Sequence, residues 1–352
     1  MDADGTPGDP RGSVALGAVG WGDRWAALLA EHPGAEAGRV LRHDGVAVTV
    51  RTATGDRVVP LRRGMEAPIV GDWLALEGDR VVAVLDRSSL LRRRAAGGDA
   101  TQLLAANLDL VLLVCGLDRP VRSGRIQRGE ALAWDAGATP VLVLTKADVA
   151  EGIDATLTEV DGGHPGLEVH VTSITTGQGI AELAGRLAGS TAVFLGESGA
   201  GKSSLVNALL GSDVAAIGAV RGGDAKGRHT TTNRQLHVLA GGGVLIDTPG
   251  IREVGLAGDE ESVDATFVDI EELAEQCRFN DCAHEGEPGC AVAAAVEAGA
   301  LSAERLHAYL VLRREAAAAA LRADEAARRA NERQGSKGLR SFYQQHPGRK
   351  RG

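Results

Sequence analysis

A glycine-rich stretch in the second half of the chain has the composition of a phosphate-binding loop. Residues 196–204 read GESGAGKSS and match the pattern G-x-x-x-x-G-K-[ST]. Glycines at this spacing let successive backbone N–H groups point at one phosphate cluster, at the start of a helix. We expect Lys202 to bridge the β- and γ-phosphates as a catalytic residue and the Ser203 hydroxyl to bind Mg²⁺. The other predicted contacts to the nucleotide come from Gly196, Glu197, Ser198, Gly199, Ala200, Gly201 and Ser204.

Two further elements downstream of this loop are typical of nucleoside triphosphatases. The apolar run GGVLID ends at Asp247, and Gly250 follows three residues later. A carboxylate and a backbone amide placed in this way can meet the metal ion and the γ-phosphate. Between the two motifs, residues 227–232 read GRHTTT, which suits a switch loop that folds over Mg²⁺. By its position, Thr231 is the predicted magnesium ligand of this stretch.

The base-binding motif of such a site lies before the phosphate-binding loop. LTKAD, residues 144–148, ends an apolar run, and Asp148 can accept hydrogen bonds from the ring N–H and amino group of guanine. Lys146 is expected to lie along the base plane, and the backbone near Ser173 and Ile174 to meet guanine O6. With the base motifs first and the phosphate motif after them, the order is that of a circularly permuted GTPase core. The predicted base-binding residues are Thr145, Lys146, Ala147, Asp148 and Ser173.

GTP hydrolysis needs a group that orients the attacking water, and the usual residue is not at its usual place. Ile251 follows DTPG where Ras-like enzymes carry a glutamine, and isoleucine can neither donate nor accept a hydrogen bond. His229 in the switch stretch is the available substitute; the alternative is a surface residue without a chemical role. The sequence predicts slow intrinsic hydrolysis that a partner accelerates by ordering residues 221–232.

A cluster of cysteines with one histidine predicts a metal site. The stretch CRFNDCAHEGEPGC has the spacing C-x₄-C-x-H-x₅-C. Three thiolates and one imidazole make a closed tetrahedral shell that suits structural Zn²⁺, although cysteines scattered in a turn-rich loop are the alternative. Cys115 lies inside an apolar run and is expected to be a buried core residue. The predicted zinc ligands are Cys277, Cys282, His284 and Cys290.

The segments between the motifs indicate which elements position them. Residues 36–96 contain five short runs separated by Gly and Asp turns, which favours an OB-like barrel and leaves an SH3-like barrel open. From residue 108 to about 250, continuous apolar strands alternate with helix-like segments, which indicates a parallel sheet covered on both faces. The predicted helices include 122–137, 178–188, 202–210 and a long stretch, 302–333, in which no clean heptad supports a coiled coil.

The predicted fold class is therefore α/β. A circularly permuted P-loop GTPase domain is expected to follow an N-terminal all-β OB-like barrel and to precede a C-terminal helical zinc-binding domain. The predicted divisions are a partly disordered leader (1–35), the OB-like barrel (36–96), the permuted GTPase domain (97–262) and the zinc-binding helical domain with a basic tail (263–352).

Charge and composition limit the classes of function. The 352-residue chain has a formal net charge of −9, which argues against a generic nucleic-acid coat protein. Neither its polar start nor any apolar run suits a signal peptide or a membrane helix, and the clustered cysteines fit a reducing compartment. We therefore expect a cytoplasmic protein with no membrane association. The basic tail, residues 334–352, belongs to an otherwise acidic chain and suits a local polyanion contact, unless it is merely solvated.

Taken together, these motifs resemble the ribosome small subunit-dependent GTPase A family (RsgA, also called YjeQ). The likeness spans roughly residues 36–345 and includes GESGAGKSSLVNALLG, KGRHTTT, LIDTPGIRE, CRFNDCAHEGEPGCAV, VGDW and AAN. It implies an OB domain, a permuted GTPase domain and a zinc-binding domain, and it also points to His229 as the catalytic histidine. Thr145 departs from the family, which usually has an asparagine that braces the phosphate-binding loop, and Ile174 stands where a small residue is usual.

The resemblance also implies a function and a partner. It indicates hydrolysis of GTP to GDP and phosphate, stimulated by the small (30S) ribosomal subunit during late maturation of that subunit. The expected contacts with rRNA are made largely through phosphates, and we expect a monomer. Two alternatives remain: a nucleotide-gated RNA-binding module with incidental hydrolysis, and a permuted GTPase that serves a non-ribosomal partner.

Overall fold

The structure is a computed structural model that describes residues 16–62, 64–94, 101–211, 234–247, 263–264, 266–279, 281–318 and 320–321. The chain forms two compact units, one of residues 1–93 with 103–255 and one of residues 94–102 with 256–352. Among the described residues, no helix is both long enough and apolar enough to span a bilayer.

The first unit begins with a short helix and a five-stranded antiparallel barrel. Strand β1 pairs with β2 and β4, β2 with β3, and β4 with β5. Because β3 also contacts β5, the strands succeed one another as 1-2-3-5-4 around the barrel. The return of β4 to β1 is a Greek-key connection, as in an OB-like barrel. These elements are α1 (Asp23–Leu29), β1 (Glu36–His43), β2 (Ala47–Thr52), β3 (Gly55–Pro60), β4 (Trp73–Glu77) and β5 (Arg80–Val84).

A parallel sheet follows the barrel in the same unit. Its strand order is β10-β9-β8-β11-β13, and all neighbours in this series are parallel. Strand β12 is antiparallel to both β13 and β1, so the sheet continues into the barrel. Strands β6 and β7 form a separate two-stranded sheet. The bounds are β6 (Leu90–Arg94), β7 (Thr101–Ala106), β8 (Leu110–Gly116), β9 (Thr139–Thr145), β10 (Glu168–Val171), β11 (Thr191–Gly196), β12 (Gln235–Val238) and β13 (Val244–Asp247).

Helices cover both faces of the parallel sheet, as its apolar strands predict. Val111 and Leu113 of β8 share one hydrophobic cluster with Ile126, whereas Leu112 shares the other with Leu205. The alternation of buried residues along β8 thus feeds two cores, one on each side of the sheet. The helices are α2 (Ser123–Asp135), α3 (Ile153–Gly163), α4 (Ile180–Leu187) and α5 (Lys202–Leu210).

The VGDW and AAN motifs contact each other where the barrel meets the parallel sheet. Gly71 has φ +95°, and a Cβ atom there would lie 2.2 Å from the carbonyl oxygen of Ala106. The Asn107 amide donates to the Gly71 carbonyl at 3.0 Å and accepts from the Ser88 N–H at 2.9 Å. Asp72, which is fully buried, accepts two hydrogen bonds from the Arg87 guanidinium at 2.7 and 2.8 Å. These contacts give both motifs a role in fixing the junction.

Arg39 on β1 is the central buried cation of this junction. Its side chain donates to the carbonyl oxygens of Val19, Gly71 and Asn107 and, at 2.9 Å, to the Thr191 hydroxyl. The guanidinium also stacks over the Trp73 ring. Burial lowers the pKa of Arg39 to about 10, but this value is still well above neutral pH, so the group stays charged.

We expect Arg39→Met to be among the most destabilising single substitutions in the first unit. The change leaves three carbonyl groups and one hydroxyl without their donor, and a buried polar group that loses its hydrogen-bond partner costs about 1–3 kcal/mol. Trp21 and Trp25 pack against Trp73, so tryptophan fluorescence during denaturant unfolding reports on this region. Arg42→Met on the same strand, which removes only an exposed pair with Asp44, is the control. Equal unfolding midpoints for the two variants would contradict the role of Arg39.

The second unit is helical. Its core contains the aromatic pair of Phe267 and Tyr309, and Arg305 lies over the Phe267 ring while it forms an ion pair with Asp269. The helices are α6 (Val268–Ala274), α7 (Ala291–Glu297) and α8 (residues 303–318). Helix α8 begins within the predicted 302–333 stretch, and most of the remainder of that stretch lies outside the described residues.

Candidate nucleotide site and metal centre

The phosphate-binding loop joins β11 to α5, as the sequence predicts. Gly199 and Gly201 have φ values of +81° and +90°, and a Cβ atom on Gly196 would lie 2.3 Å from the Val114 carbonyl oxygen. Larger residues at these positions would therefore strain the loop or collide with β8. The Lys202 ammonium donates to the carbonyl oxygens of Gly196 and Glu197 at 2.5 and 2.6 Å, which holds the cation over the loop.

Thr145 at the end of β9 braces this loop from the base-binding side. Its hydroxyl, in a residue that is 5% exposed, donates to the Ala200 carbonyl oxygen at 2.6 Å. A Cβ atom on Gly201 would lie 3.4 Å from the same hydroxyl oxygen. The threonine therefore makes a bracing contact at the position where the resembled family usually has an asparagine amide.

The base-binding motifs meet at the carboxyl ends of β9 and β10. The Ser173 hydroxyl donates to the Asp148 carboxylate at 2.6 Å, and this hydrogen bond lowers the pKa of that carboxyl group. The Ala147 N–H donates to the Thr172 carbonyl oxygen at 3.1 Å, which ties the two strand ends together. Asp148 is exposed and ionised at neutral pH, and its carboxylate can accept the two N–H donors that guanine presents side by side.

Two charged residues after β8, Asp118 and Arg119, lie beside the predicted nucleotide-binding residues. Lys146 donates from its ammonium to the Asp118 carboxylate at 2.8 Å, and Arg119 donates to the same carboxylate. The hydrogen bonds from Arg119 and Lys146 lower the pKa of Asp118 to about 2. The sequence alone does not indicate these two residues, because their place follows from the strand order, in which β8 lies between β9 and β11 and its carboxyl end lies at the same edge of the sheet.

The remaining predicted nucleotide ligands divide between described and undescribed residues. Ser203 and Ser204 lie in the first turn of α5, and Asp247 is the last residue of β13, next to β11 in the sheet. The structure thus brings Asp247 to the edge that carries the phosphate-binding loop. His229, Thr231 and Gly250 lie outside the described residues.

The four predicted metal ligands converge in the second unit. The thiol sulfurs and one nitrogen of His284 all lie within 4.8 Å of one another. Cys277 Sγ lies 3.6 Å from His284 Nδ1 and 3.9 Å from Cys290 Sγ, and Cys290 Sγ lies 3.5 Å from His284 Nδ1. In a tetrahedral shell with metal–sulfur bonds of about 2.3 Å and metal–nitrogen bonds of about 2.0 Å, two sulfurs lie about 3.8 Å apart and a sulfur and a nitrogen about 3.5 Å apart. The cluster therefore fits one tetrahedral metal ion.

Local backbone structure places these ligands. Cys290 caps the N-terminus of α7 by accepting from the Ala293 N–H at 3.3 Å, and His284 takes a left-handed conformation with φ +61°. Although burial opposes ionisation of Cys277, hydrogen bonds from the Ala291 and Val292 N–H groups lower the pKa of its thiol on balance. The backbone thus favours the thiolate form that a metal ion requires.

The fold and the site define a class of protein. A parallel sheet carries a phosphate-binding loop after its fourth strand, and the carboxylate predicted to bind the base, Asp148, precedes that loop in the chain. A solved structure described as YloQ, a circularly permuted GTPase, matches with a TM-score of 0.60 at 24% identity, over 81% of this chain and 96% of that one. The fold is therefore that of a circularly permuted P-loop GTPase.

Comparison with known sequences identifies the family. The family model for RsgA GTPase matches residues 84–257. The small ribosomal subunit biogenesis GTPase RsgA of Streptomyces coelicolor is 44% identical over 316 residues, which cover 86% of each chain. The RsgA of Xanthomonas axonopodis is 42% identical over 339 residues, covering 92% of this chain and 93% of the relative. The crystal structure of YjeQ from Thermotoga maritima matches with a TM-score of 0.62 at 29% identity, over 80% of this chain and 98% of that one. This chain belongs to the RsgA GTPase family.

Proposed function

We propose that this protein hydrolyses GTP during late maturation of the small ribosomal subunit. The observation that carries the proposal is the Asp148 carboxylate, fixed by Ser173 at the same sheet edge as the phosphate-binding loop. In this reading Asp148 selects guanine, Lys202 and the loop amides bind the phosphates, and Ser203 and Thr231 hold Mg²⁺. Relatives named for small ribosomal subunit biogenesis at 42–45% identity support the assignment of the partner.

The metal centre is proposed to hold one structural zinc ion. Three thiolates and an imidazole favour Zn²⁺ over harder divalent cations, and four protein ligands leave no open position for a substrate. The ion would stabilise the loop between α6 and α7, which carries few apolar residues of its own.

The proposed binding partner is the subunit with its rRNA, and the site of action is the cytoplasm. Basic residues are the expected rRNA contacts, but a basic residue that already forms an ion pair within the protein is less free to bind a phosphate. Arg92 of the basic run 92–94 is 40% exposed and lies in an ion pair with Asp135 at 3.0 Å. We therefore assign more of the contact to the basic tail, residues 334–352, than to Arg92. The protein is proposed to act as a monomer.

Substitution of His229 tests whether hydrolysis itself is the function. If His229 positions water, His229→Ala should lower subunit-stimulated GTP turnover about 100-fold or more, while GTP and subunit binding persist. Turnover is measured by phosphate release, and subunit binding by co-sedimentation. The matched control is His32→Ala, since His32 lies between α1 and β1 and outside the predicted nucleotide site.

Two results would count against this proposal. Full turnover by His229→Ala would remove the assigned role of His229. Normal subunit maturation in cells that carry only a turnover-deficient variant would favour the alternative, a nucleotide-gated RNA-binding module with incidental hydrolysis.

A further inference from the structure

Arg119 lies between the base-binding end and the phosphate-binding end of the nucleotide site. One of its terminal nitrogens is 3.5 Å from the position that a Cβ atom of Gly199 would occupy. Another is 4.0 Å from the Glu197 carboxylate of the same loop. The guanidinium is therefore close to the backbone that is expected to surround the phosphates.

Asp118 holds Arg119 in this place and connects it to the base-binding lysine. The carboxylate accepts from Arg119 Nε at 3.3 Å and Nη2 at 3.1 Å, and from Lys146 Nζ at 2.8 Å. A Cβ atom on Gly116 would lie 2.5 Å from the Asp118 carboxylate, so the glycine leaves room for it. Two cations from different strand ends are thus gathered by one carboxylate.

We propose that Arg119 is a further nucleotide-binding residue, whose guanidinium contacts the phosphate chain of the bound guanine nucleotide. Asp118 is a positioning residue that aims Arg119 and Lys146 at the phosphate and the base respectively. The inference rests on the proposed function, because it places the nucleotide between Asp148 and the phosphate-binding loop.

The charges favour a rearrangement in which the Arg119 guanidinium leaves its ion pair with Asp118 and binds a phosphate. The Arg119 side chain is 44% exposed and that of Asp118 is 30% exposed. Ion pairs at such exposed positions contribute little to stability, so their rearrangement is inexpensive. The phosphate chain of a guanine nucleotide carries more negative charge in total than one carboxylate, and a phosphate accepts two parallel N–H bonds from the planar guanidinium. A lysine carries the same positive charge but cannot donate two parallel hydrogen bonds. Arg119→Lys therefore distinguishes the effect of the charge from the effect of the guanidinium geometry.

The test measures the dissociation constants of GDP, GTP and guanosine for the full-length protein. We expect Arg119→Ala to weaken GDP and GTP binding about 10–100-fold, the effect of losing a hydrogen bond to a charged group, and to leave guanosine binding unchanged. Arg119→Lys should recover part of the loss. Arg122→Ala, an exposed arginine three residues further along the same loop, is the matched control and should bind all three ligands as the unchanged protein does.

A second variant excludes an indirect effect through the freed carboxylate. If Arg119→Ala acts only by leaving Asp118 to repel the phosphates, then Asp118→Asn in the same chain restores GDP affinity and overturns the inference. Unchanged GDP affinity in Arg119→Ala would overturn it as well, and so would an equal loss for guanosine. These results leave the proposed function intact as long as the unchanged protein binds GDP and Asp148→Asn does not. Absence of GDP binding by the unchanged protein would overturn both.

Discussion

Replacement of Asp148 by asparagine should transfer the nucleotide preference of the protein from guanine to xanthine. The carboxylate accepts two hydrogen bonds from guanine, whereas the asparagine amide opposes one guanine donor with a donor of its own. A site that hydrogen-bonds its ligand in this way discriminates by about 10⁴–10⁵, so GTP affinity should fall at least about 1,000-fold. Xanthine carries a carbonyl oxygen in place of the guanine amino group and can accept from the amide. We therefore expect XTP to be bound and hydrolysed by the variant.

The control for this experiment is a neighbour of Asp148 that does not touch the base. Glu151→Gln makes a matched carboxylate-to-amide change three residues later, and it should leave GTP and XTP affinities as they are. Competition of GTP and XTP against a fluorescent guanine nucleotide gives both affinities. A variant that keeps its GTP preference would show that Asp148 does not read the base.

Removal of the metal ion should unfold the metal-binding loop of the second unit. Structural zinc contributes about 10–16 kcal/mol in small zinc-binding peptides, far more than the few apolar residues of this loop can replace. Cys290→Ala removes both a metal ligand and the cap of α7, so we expect loss of bound zinc and of helix signal in circular dichroism. All four tryptophans lie in the first unit, so their fluorescence transition should remain unchanged.

Asp281→Asn is the control for the metal centre, since Asp281 is an exposed carboxylate next to Cys282. It should keep one zinc ion for each chain, because thiolate and imidazole ligands satisfy the shell without carboxylate oxygens. Zinc content is measured on the purified proteins. A full complement of zinc in Cys290→Ala, or its loss in Asp281→Asn, would contradict the assigned ligand set.

The parts of the site that the sequence predicts are those encoded within a few residues of one another. The spacing in GESGAGKSS sets which glycines need left-handed backbone, and the structure gives Gly199 and Gly201 such values. The cysteine spacing likewise predicts a metal-binding cluster, and in the structure its four ligand atoms lie within 4.8 Å of one another. Both motifs depend on local geometry, so their residues can be chosen without knowledge of the remote chain.

The parts that the sequence does not reveal depend on contacts between distant segments. In the sequence, Arg39 is indistinguishable from an ordinary polar residue of a β-strand. In the structure, its guanidinium donates a hydrogen bond to Thr191, which lies 152 residues later. The pairing of β12 with β1 makes barrel and sheet continuous, and no local pattern indicates it. Asp118 and Arg119 are inconspicuous in sequence, because their role follows only from the strand order that sets β8 between β9 and β11.

Thr145 illustrates how structure changes the interpretation of a departure from a family pattern. Its hydroxyl reaches the Ala200 carbonyl at 2.6 Å, so threonine supplies a hydrogen bond between the base-binding strand and the phosphate-binding loop. The shorter side chain has one donor where an asparagine amide has two. Residue identity alone predicts a missing brace, whereas the geometry provides one.

Phosphate release from GTP, with and without small ribosomal subunits, tests the central claim most directly. We expect slow turnover by the protein alone, strong stimulation by the subunit and no activity towards ATP. The slow basal rate follows from Ile251, which cannot orient water, and the preference for GTP follows from Asp148. Turnover that the subunit leaves unchanged, or equal turnover of ATP, would contradict the account of a guanine-specific enzyme that acts on the small subunit.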